Sequence, residues 1–332
     1  MTGDLKPQAQ IPSLDAIRTA QGRIAGRVRR TPLLHAFDRD GCQVWLKLEN
    51  LQVTGAFKIR GCLNRVMSLT QEDRDRGLIA ASSGNHALGL SLAGSLTGAA
   101  VTVVMPRSAP TVKVNGCRRL GAQVLLEGST YDDAYAHGRK LAREGGLTYV
   151  ESFDDPLIVA GQGTIALEIF EDLPDVDGLI CPIGGGGLVS GLLAARAGGN
   201  WGGTRVIGVE AHLAPGMKES LTAGRAVTLP GAPTKADGIA VRKVGDLTFS
   251  IAKAHMDDVV VVTDSEMLEA TGYIMTRHKV VAELAGASPV AALLASRISL
   301  RGMERVVCVV TGGNIGSDTM IEALTAYEER ES

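Results

Sequence analysis

The sequence predicts an α/β fold of two domains, in which mostly parallel, twisted sheets are covered by helices. Short apolar segments that are typical of strands alternate with longer segments of helical periodicity, and this order favours parallel sheets. A continuous β-branched run such as "AVTVVMP" at 100–106 is typical of a strand buried on both faces. The chain has 332 residues, which at about 150 residues per domain suggests two domains.

Polar and glycine-rich residues separate the predicted elements. Strands are expected at 43–49, 77–83, 100–106, 122–128, 147–152, 177–183, 204–211 and 305–313. Helices are expected from 58 onward and at 85–98, 111–121, 130–146, 161–173, 187–199, 264–280 and 288–300. Thr130 is a favourable N-cap for the helix at 130–146, and acidic residues follow it in the first turn. Gly121 is typical of the end of the helix at 111–121. The block 76–154 is predicted to be a small domain inserted into a larger one that consists of 1–75 and 155–332.

Composition and charge exclude several classes of protein. The formal net charge is −2, without the basic patch that binding along a nucleic acid requires. The sequence has no run of 18 apolar residues and no apolar signal core near its start, so neither a membrane span nor export is expected. The five cysteines are far apart and form no CxxC pair, which excludes a zinc ribbon and favours a reducing, cytoplasmic compartment.

Four consecutive glycines, Gly184–Gly187, lie between a predicted strand and a predicted helix. Without Cβ atoms their N–H groups can converge on one anion, and the helix N-terminus adds partial positive charge. Hydrogen bonds to a charged group are worth about 1.5–3 kcal/mol each, so the loop can hold a phosphate without a lysine. The other interpretation is a turn that only packs the helix against the sheet.

A dinucleotide is the first alternative ligand for this loop. In that case Glu210, at the end of the next strand, would bind a ribose hydroxyl. The G-x-G-x-x-G pattern needs a third glycine, but its two registers place Val189 or Ser190 there. The residue after the glycines is Leu188, so the lysine of a P-loop is missing as well. The loop is therefore expected to bind the phosphate of a different cofactor.

Two further strand ends carry polar residues. The segment "AASSGNHALGL" places Ser83, Gly84, Asn85 and His86 between a strand and a helix, where N–H groups can bind a carboxylate. The segment "RVVCVVTGGNIGSD" ends a buried strand at Thr311, which supplies a hydroxyl. Taken alone, each segment is better explained as a helix cap or an ordinary turn.

Lys58 lies in "TGAFKIRG" between small residues, a phenylalanine and an arginine. On these residues alone, the better interpretation is a surface helix with Arg60 as an exposed neighbour. The ends of parallel strands face one crevice, however, which would combine the phosphate loop, the carboxylate-binding turn, the Thr311 hydroxyl and Lys58. Pyridoxal phosphate would use all four features, with its aldehyde on the neutral amine of Lys58.

The chain resembles the pyridoxal-phosphate enzymes of the tryptophan-synthase-β-like fold (fold type II), and among them the serine/threonine dehydratase and serine racemase family. The segments that carry the resemblance are "KLENLQVTGAFKIRG", "SSGNHA", "FDDPLIVAGQGTIALEI", "GGGGLVSG", "KADGIAVRKVGDLTF", "ELAGA" and "TGGN". The resemblance implies a homo-oligomeric, cytoplasmic ammonia-lyase for L-threonine or L-serine. A serine racemase or a 3-hydroxyaspartate dehydratase is the alternative within the family, and a nucleotide-binding dehydrogenase or a non-catalytic protein is the alternative outside it.

The resemblance also implies a role for each matching residue. Lys58 would carry the cofactor as a Schiff base and move the substrate Cα proton, while Ser83 would be the acid/base on the opposite face. The cofactor-binding residues would be Lys58, Phe57, Asn85, Gly184, Gly185, Gly186, Gly187, Leu188, Gly238 and Thr311. The turn that receives the substrate carboxylate would consist of Ser83, Gly84, Asn85 and His86.

The sequence departs from the family pattern in two places. Relatives often bind a divalent cation through a glutamate, a backbone carbonyl and a third oxygen ligand. Here Glu210 and Ala214 fit, but Gly216 offers no side chain, so at most a weakly bound cation is expected. Thr311 stands where serine is usual and keeps the hydroxyl. Because the segment after Asn314 is short, no C-terminal regulatory domain is expected, and an unregulated or catabolic role is the hypothesis.

Overall fold

The computed structural model describes residues 11–109 and 111–331. The strands are β1 (Leu33–Arg39), β2 (Cys42–Leu48), β3 (Leu78–Ala81), β4 (Val101–Met105), β5 (Gln123–Leu126), β6 (Thr148–Tyr149), β7 (Gly178–Pro182), β8 (Arg205–Ala211), β9 (Asp258–Val262) and β10 (Arg305–Val310). The helices are α1 (Leu14–Ile24), α2 (Lys58–Met67), α3 (Gln71–Arg76), α4 (Asn85–Thr97), α5 (Thr111–Arg119), α6 (Tyr131–Gly145), α7 (Pro156–Asp172), α8 (Gly187–Gly198), α9 (Gly216–Ala223), α10 (Asp246–His255), α11 (Asp264–Tyr273), α12 (Leu284–Leu294) and α13 (Ser317–Glu331).

The larger sheet has six strands in the order β1-β2-β10-β7-β8-β9. Only the β1–β2 pair is antiparallel among these described strands, and the other four pairs are parallel. Helices α11 and α12 pack on one face of this sheet, and α1, α7, α8 and α10 pack on the other. The predicted α/β class with mostly parallel sheets covered by helices is confirmed.

The smaller sheet has four parallel strands in the order β5-β4-β3-β6. All four strands lie within residues 78–149, and their faces are covered by α4 and α5 on one side and by α6 on the other. Helix α2 packs against both α4 and α7, so it lies between the helices of the two sheets. The division of the chain at residues 76 and 154 stays a prediction.

Several elements differ from the sequence-based expectation. Helix α7 begins at Pro156 instead of residue 161, because the Asp155 side chain accepts hydrogen bonds from the N–H groups of the first turn. Helix α12 begins at Leu284 and includes Pro289, and it is apolar and buried all round. The helix expected at 264–280 leaves the α-helical conformation at Tyr273 and continues as a π-helical turn, Ile274–His278.

The topology places three strand ends beside one another. Strand β10 lies between β2 and β7, with Val310 opposite Leu48 and Cys308 opposite Ile180. All three strands run in the same direction, so the segments that follow them emerge at the same edge of the sheet. This edge is where open parallel sheets bind their ligands.

Candidate active site

The segment before Lys58 is fixed by the segment that follows β10. The N–H of Phe57 donates to the Thr311 carbonyl at 3.0 Å, and the N–H of Gly313 donates to the Gly55 carbonyl at 2.9 Å. These bonds place Lys58, the first residue of α2, beside the end of the central strand. Two segments that the sequence analysis singled out separately are therefore one structural unit.

The Lys58 side chain is half-buried. Its Nζ donates to the carbonyl of Ser152 at 3.0 Å and lies 5.2 Å from the centroid of the Phe57 ring. Burial lowers the pKa of Lys58 to about 8, and Cys62 and Glu283 oppose that effect through the negative charge that each carries when it is ionised. At neutral pH this amine is much closer to its uncharged form than a lysine in water.

The interpretation of α2 as a surface helix with an exposed Arg60 is wrong. Only 1% of Arg60 is exposed, and its guanidinium contacts Glu49 Oε1 at 2.8 Å and Glu168 Oε1 at 2.6 Å. Lys47 contacts the other oxygen of Glu168 at 2.6 Å. Two positive and two negative charges thus compensate one another in the interior, and they tie the first turn of α2 to β2 and α7.

The glycine loop has no room for side chains. Gly186 has φ +96°, in the left-handed region that favours glycine. A Cβ at Gly185 would collide with the ring of Phe153, and one at Gly187 would lie 2.9 Å from Phe153 Cβ. The hydroxyl of Thr248 donates to the Gly185 carbonyl at 2.6 Å. The first N–H groups of α8 have no acceptors within the helix, and such groups at a helix start suit a phosphate.

The loop and Lys58 belong to one site. Phe153, which packs against the loop, directly follows Ser152, whose carbonyl accepts the Lys58 hydrogen bond. On the other side of the loop, a Cβ at Gly184 would lie 3.2 Å from the carbonyl oxygen of Gly238. The structure therefore brings Gly238 against the loop.

Asn85 lies in a chain of hydrogen bonds that crosses the site. Its Nδ2 donates to Glu283 Oε1 at 2.8 Å, and its Oδ1 accepts from Asn314 Nδ2 at 2.8 Å. Asn314 Nδ2 also donates to the carbonyl of Thr54 at 2.9 Å. Asn85 is thereby linked to the segment that carries Lys58.

The turn at Ser83 and Gly84 connects β3 to α4 and is half-buried. The ring of His86 points away from it: Nδ1 lies 3.3 Å from Cys62 Sγ, and Nε2 lies 3.1 Å from the Val150 carbonyl. Burial lowers the pKa of His86 to about 3, so the ring is neutral. His86 can serve the turn only through its backbone, and its side chain belongs to the packing between α2 and α4.

The weak metal candidates lie at the end of β8. The carboxylate of Glu210 accepts hydrogen bonds from the N–H of Met217 at 2.7 Å and of Lys218 at 2.9 Å. Burial raises the pKa of Glu210 to about 7. Among the described residues, no group of three His, Cys, Asp or Glu side chains lies close enough together to hold a metal ion. Glu210 stabilises the first turn of α9, and Ala214 lies buried beside it.

Sequence reasoning missed Glu283. This residue is 5% exposed, and its N–H donates to the Gly312 carbonyl at 2.9 Å. A Cβ at Gly238 would lie 3.4 Å from Glu283 Oε1, so the carboxyl faces the site. Its signal in the sequence is one acidic residue at the start of the otherwise apolar segment "ELAGASPVAALL".

Pyridoxal phosphate fits these residues. The loop without Cβ atoms suits its phosphate, and the amine of lowered pKa suits its aldehyde. Gly238 and Gly312, which have no side chains, allow the Glu283 carboxyl to approach the backbone at this site. The buried Thr311, 3% exposed, marks the end of the central strand between these features.

Known proteins are similar to this chain in sequence and in fold. A family model described as "Pyridoxal-phosphate dependent enzyme" matches residues 24–312. The L-threonine ammonia-lyase of Thermotoga maritima is 46% identical over 306 residues, which are 91% of this chain and 76% of that protein. A catabolic L-threonine dehydratase of Staphylococcus aureus is 39% identical over 92% of this chain and 90% of that protein.

A solved structure agrees with these sequence matches. Maize serine racemase has a TM-score of 0.89 and 33% identity to this chain, over 97% of this chain and 99% of its own. Among the described residues, no helix is long and apolar enough to cross a membrane. The family resemblance inferred from the sequence is confirmed: the chain belongs to the family of pyridoxal-phosphate dependent enzymes.

Proposed function

We propose that this chain is an ammonia-lyase that uses pyridoxal phosphate to convert a β-hydroxy amino acid, L-threonine or L-serine, into a 2-oxo acid and ammonia. The observation that carries the proposal is the arrangement of Lys58 between the glycine loop and Asn85, in a chain that is 46% identical to an L-threonine ammonia-lyase. The family is that of a different cofactor and is described as one of enzymes, which supports this proposal over the nucleotide-binding and non-catalytic alternatives.

The cofactor, when bound, supplies an aldehyde for amino groups and a ring that accepts electrons from the substrate Cα. The loop Gly184–Gly187 and Leu188 would bind its phosphate through backbone N–H groups. Phe57 and Gly238 would flank the ring, and Asn85 would donate to its phenolic oxygen. Thr311 would face the ring nitrogen with a neutral hydroxyl. An aspartate at this position would keep the ring nitrogen protonated, whereas a hydroxyl does not.

Lys58 would move the Cα proton of the substrate. With a pKa of about 8, about one tenth of these amines are unprotonated at pH 7, against about one in 2,500 for a lysine in water. A base must be unprotonated to take a proton, so the lowered pKa supports this role. The substrate carboxylate would bind at the turn formed by Ser83, Gly84 and the backbone of His86. This turn lies at the N-terminus of α4, where free N–H groups favour an anion.

Serine racemase activity is the second candidate, and the similarity to maize serine racemase favours it. Racemisation needs a second acid/base on the face opposite Lys58, which would be Ser83. A 3-hydroxyaspartate dehydratase remains the third alternative within the family. Keto-acid release from the stereoisomers of threonine, serine and 3-hydroxyaspartate separates these three activities.

A cytoplasmic homodimer is part of the proposal. The five cysteines, all among the described residues, are buried free thiols, which suits a reducing compartment. Leu51 and Val53 are exposed by 43% and 39%, and Val281 by 41%. The segment of Val281 lies beside that of Leu51, since the Asn50 side chain donates to the Val281 carbonyl at 2.9 Å. These neighbouring apolar side chains suit a contact with a second copy, and light scattering after gel filtration tests it.

The central experiment replaces Lys58 by alanine. Purified wild-type protein should be yellow, borohydride should fix the cofactor to Lys58, and mass spectrometry of the peptides should locate it there. Lys58→Ala should fold but lose this attachment and essentially all deamination, whereas the exposed control Lys140→Ala should keep both. Substantial deamination by Lys58→Ala would overturn the assignment.

A further inference from the structure

Glu283 is a buried carboxyl that the proposed reaction does not use. A Cβ at Gly312 would collide with Glu283 Oε1, and a Cβ at Gly238 would lie 3.4 Å from it. Both glycines therefore leave room for this carboxyl beside the ring site. The nearby Asn85 contacts the same oxygen at 2.8 Å.

The hydrogen bonds around Asn85 have a fixed direction. The Thr54 carbonyl can only accept, so Asn314 must turn its Nδ2 toward it. The same Nδ2 reaches Asn85, so Asn85 presents Oδ1 to Asn314 and Nδ2 to Glu283. Glu283 Oε1 is thus an acceptor, and the second N–H of Asn85 is left to donate elsewhere. The backbone N–H of Asn314 donates to the same carboxyl, so both asparagines hold Glu283.

Charged groups face Glu283 from three directions. Lys58 faces it from α2, Lys113 from α5, and Asp237 from the 3-10 turn Asp237–Ile239. Lys113 and Asp237 form an ion pair, and their charges shift the pKa of Glu283 in opposite directions. Burial raises the pKa of Glu283 to about 8, Asp237 adds to this effect, and Lys113 and the hydrogen bonds from the two asparagines oppose it.

We propose that Glu283, as an uncharged carboxylic acid, is a positioning residue for Asn85. We further propose that ionisation of Glu283 weakens cofactor binding. The inference rests on the proposed pyridoxal-phosphate site. The phosphate and the phenolic oxygen of that cofactor are anionic, and a carboxylate in the same half-buried site would repel them. A neutral acid keeps the hydrogen-bond acceptor for Asn85 without adding that negative charge.

The test uses pyridoxine 5′-phosphate, which has the ring and the phosphate but no aldehyde. Its dissociation constant is measured by equilibrium dialysis from pH 6.5 to 9.5 with Lys58→Ala and with Lys58→Ala/Glu283→Gln. Glutamine has the shape of the uncharged acid and cannot ionise. The ratio of the two constants cancels the ionisation of the ligand itself, because both proteins bind the same ligand.

We expect the ratio of the Lys58→Ala constant to the double-variant constant to rise with pH. If binding raises the pKa of Glu283 by one unit, the rise is about tenfold. The matched control Lys58→Ala/Glu144→Gln, which changes an exposed glutamate on α6, should give a constant ratio. A constant ratio for Glu283→Gln would overturn the inference. Absence of binding to Lys58→Ala and to wild-type protein would instead overturn the proposed function.

Circular dichroism shows whether the Glu283→Gln protein is folded. If it is not, wild-type protein with ¹³C-labelled glutamate carboxyl groups carries the test. A protonated carboxyl signal should persist above pH 7, and pyridoxine 5′-phosphate should move its titration to higher pH. The lack of such a signal, or a titration that the ligand leaves unchanged, would overturn the inference.

Discussion

Asn314 occupies the space that a side chain at position 55 would need. A Cβ at Gly55 would lie 2.5 Å from Asn314 Oδ1, and Gly55 has φ +73°. Glycine is therefore required there for two reasons, its backbone conformation and the approach of Asn314. The glycine in "TGAFK" allows the hydrogen-bond chain through Asn85 to reach the segment of Lys58.

Gly55→Ala should lose more stability than Gly26→Ala. Gly26 has nearly the same conformation, φ +72°, but the described residues leave open space within 4 Å of its Cβ position. Left-handed backbone costs alanine about 1–2 kcal/mol at either position. Overpacking against Asn314 should add about 1–3 kcal/mol at position 55 only. Urea unfolding of both variants measures the difference, and equal losses would show that Asn314 moves away freely.

The capture of pyridoxal phosphate by apoenzyme should depend on the pKa of Lys58. Only an unprotonated amine attacks the aldehyde, so the capture rate should rise with pH and level off above about 8. A lysine in water would continue to gain rate up to about pH 10.4. Stopped-flow absorbance measures the rate, with Lys58→Ala as the control without capture. A rate that still rises tenfold per pH unit above pH 9 would contradict the lowered pKa.

Arg60→Ala should destabilise the protein strongly. It leaves Glu49 buried without its ion-pair partner and Glu168 with Lys47 alone, and breaking a buried ion pair costs about 3–5 kcal/mol. The control Arg76→Ala removes exposed pairs on α3, which are worth about 0–1 kcal/mol. Thermal unfolding of both variants makes the comparison. Similar losses in melting temperature would mean that the interior compensates for the missing guanidinium.

The same ion network should make the protein sensitive to acid. Burial alone would raise the pKa of Glu49, but Arg60 outweighs burial and the pKa is lowered. The unfolded chain therefore binds a proton more readily than the folded protein. The stability that Glu49 contributes is complete above its ordinary pKa and is lost as pH falls toward the folded value.

Ser83→Ala should separate racemisation from deamination. The change keeps the backbone N–H groups of the turn, so the carboxylate site should survive. A single acid/base is worth about 10²–10⁴-fold, and racemisation and any D-isomer deamination should fall by that factor while L-isomer deamination falls much less. Rates on each enantiomer are measured separately, with the cofactor spectrum as a folding control. Equal losses on both would make Ser83 a shared substrate-positioning residue.

Chelator treatment should leave activity and melting temperature unchanged. Both carboxylate oxygens of Glu210 accept hydrogen bonds from the first turn of α9, and Gly216 provides no side-chain ligand. Mg²⁺ prefers six oxygen ligands in octahedral geometry, which this arrangement does not supply. Activity after EDTA dialysis, with and without added Mg²⁺, checks the expectation. A large loss that Mg²⁺ restores would show that the first turn of α9 rearranges around an ion.

The parts of the site that the sequence predicted have local signals. The four glycines and the lysine frame are contiguous segments whose chemistry is visible without the fold. Glu283 and Arg60 depend on partners that are distant in the chain: Glu283 meets Asn85 across 198 positions, and Arg60 meets Glu168 across 108. The pattern around Arg60 shows a charged residue, but only the fold shows that it is buried with compensating charges.

The fold was predictable to a similar degree. Most strands of both sheets were predicted because their apolar runs are continuous. Strand β9 was missed although "DVVVV" is β-branched, and its signal was available. Strand β1 was also not predicted. It is half-exposed and antiparallel, and its register shifts between His35 and Phe37, so apolar and polar residues do not alternate regularly along it.

The position of β10 determines when this protein can complete its fold. This strand, Arg305–Val310, is the last of the described strands but pairs with β2 and β7 near the middle of the larger sheet. During synthesis, β2 and β7 therefore cannot pair with β10 until more than nine tenths of the given sequence has been translated. Until then, Lys58 lacks the segment that fixes Phe57, and unpaired strand edges are open to chaperones or to other nascent chains.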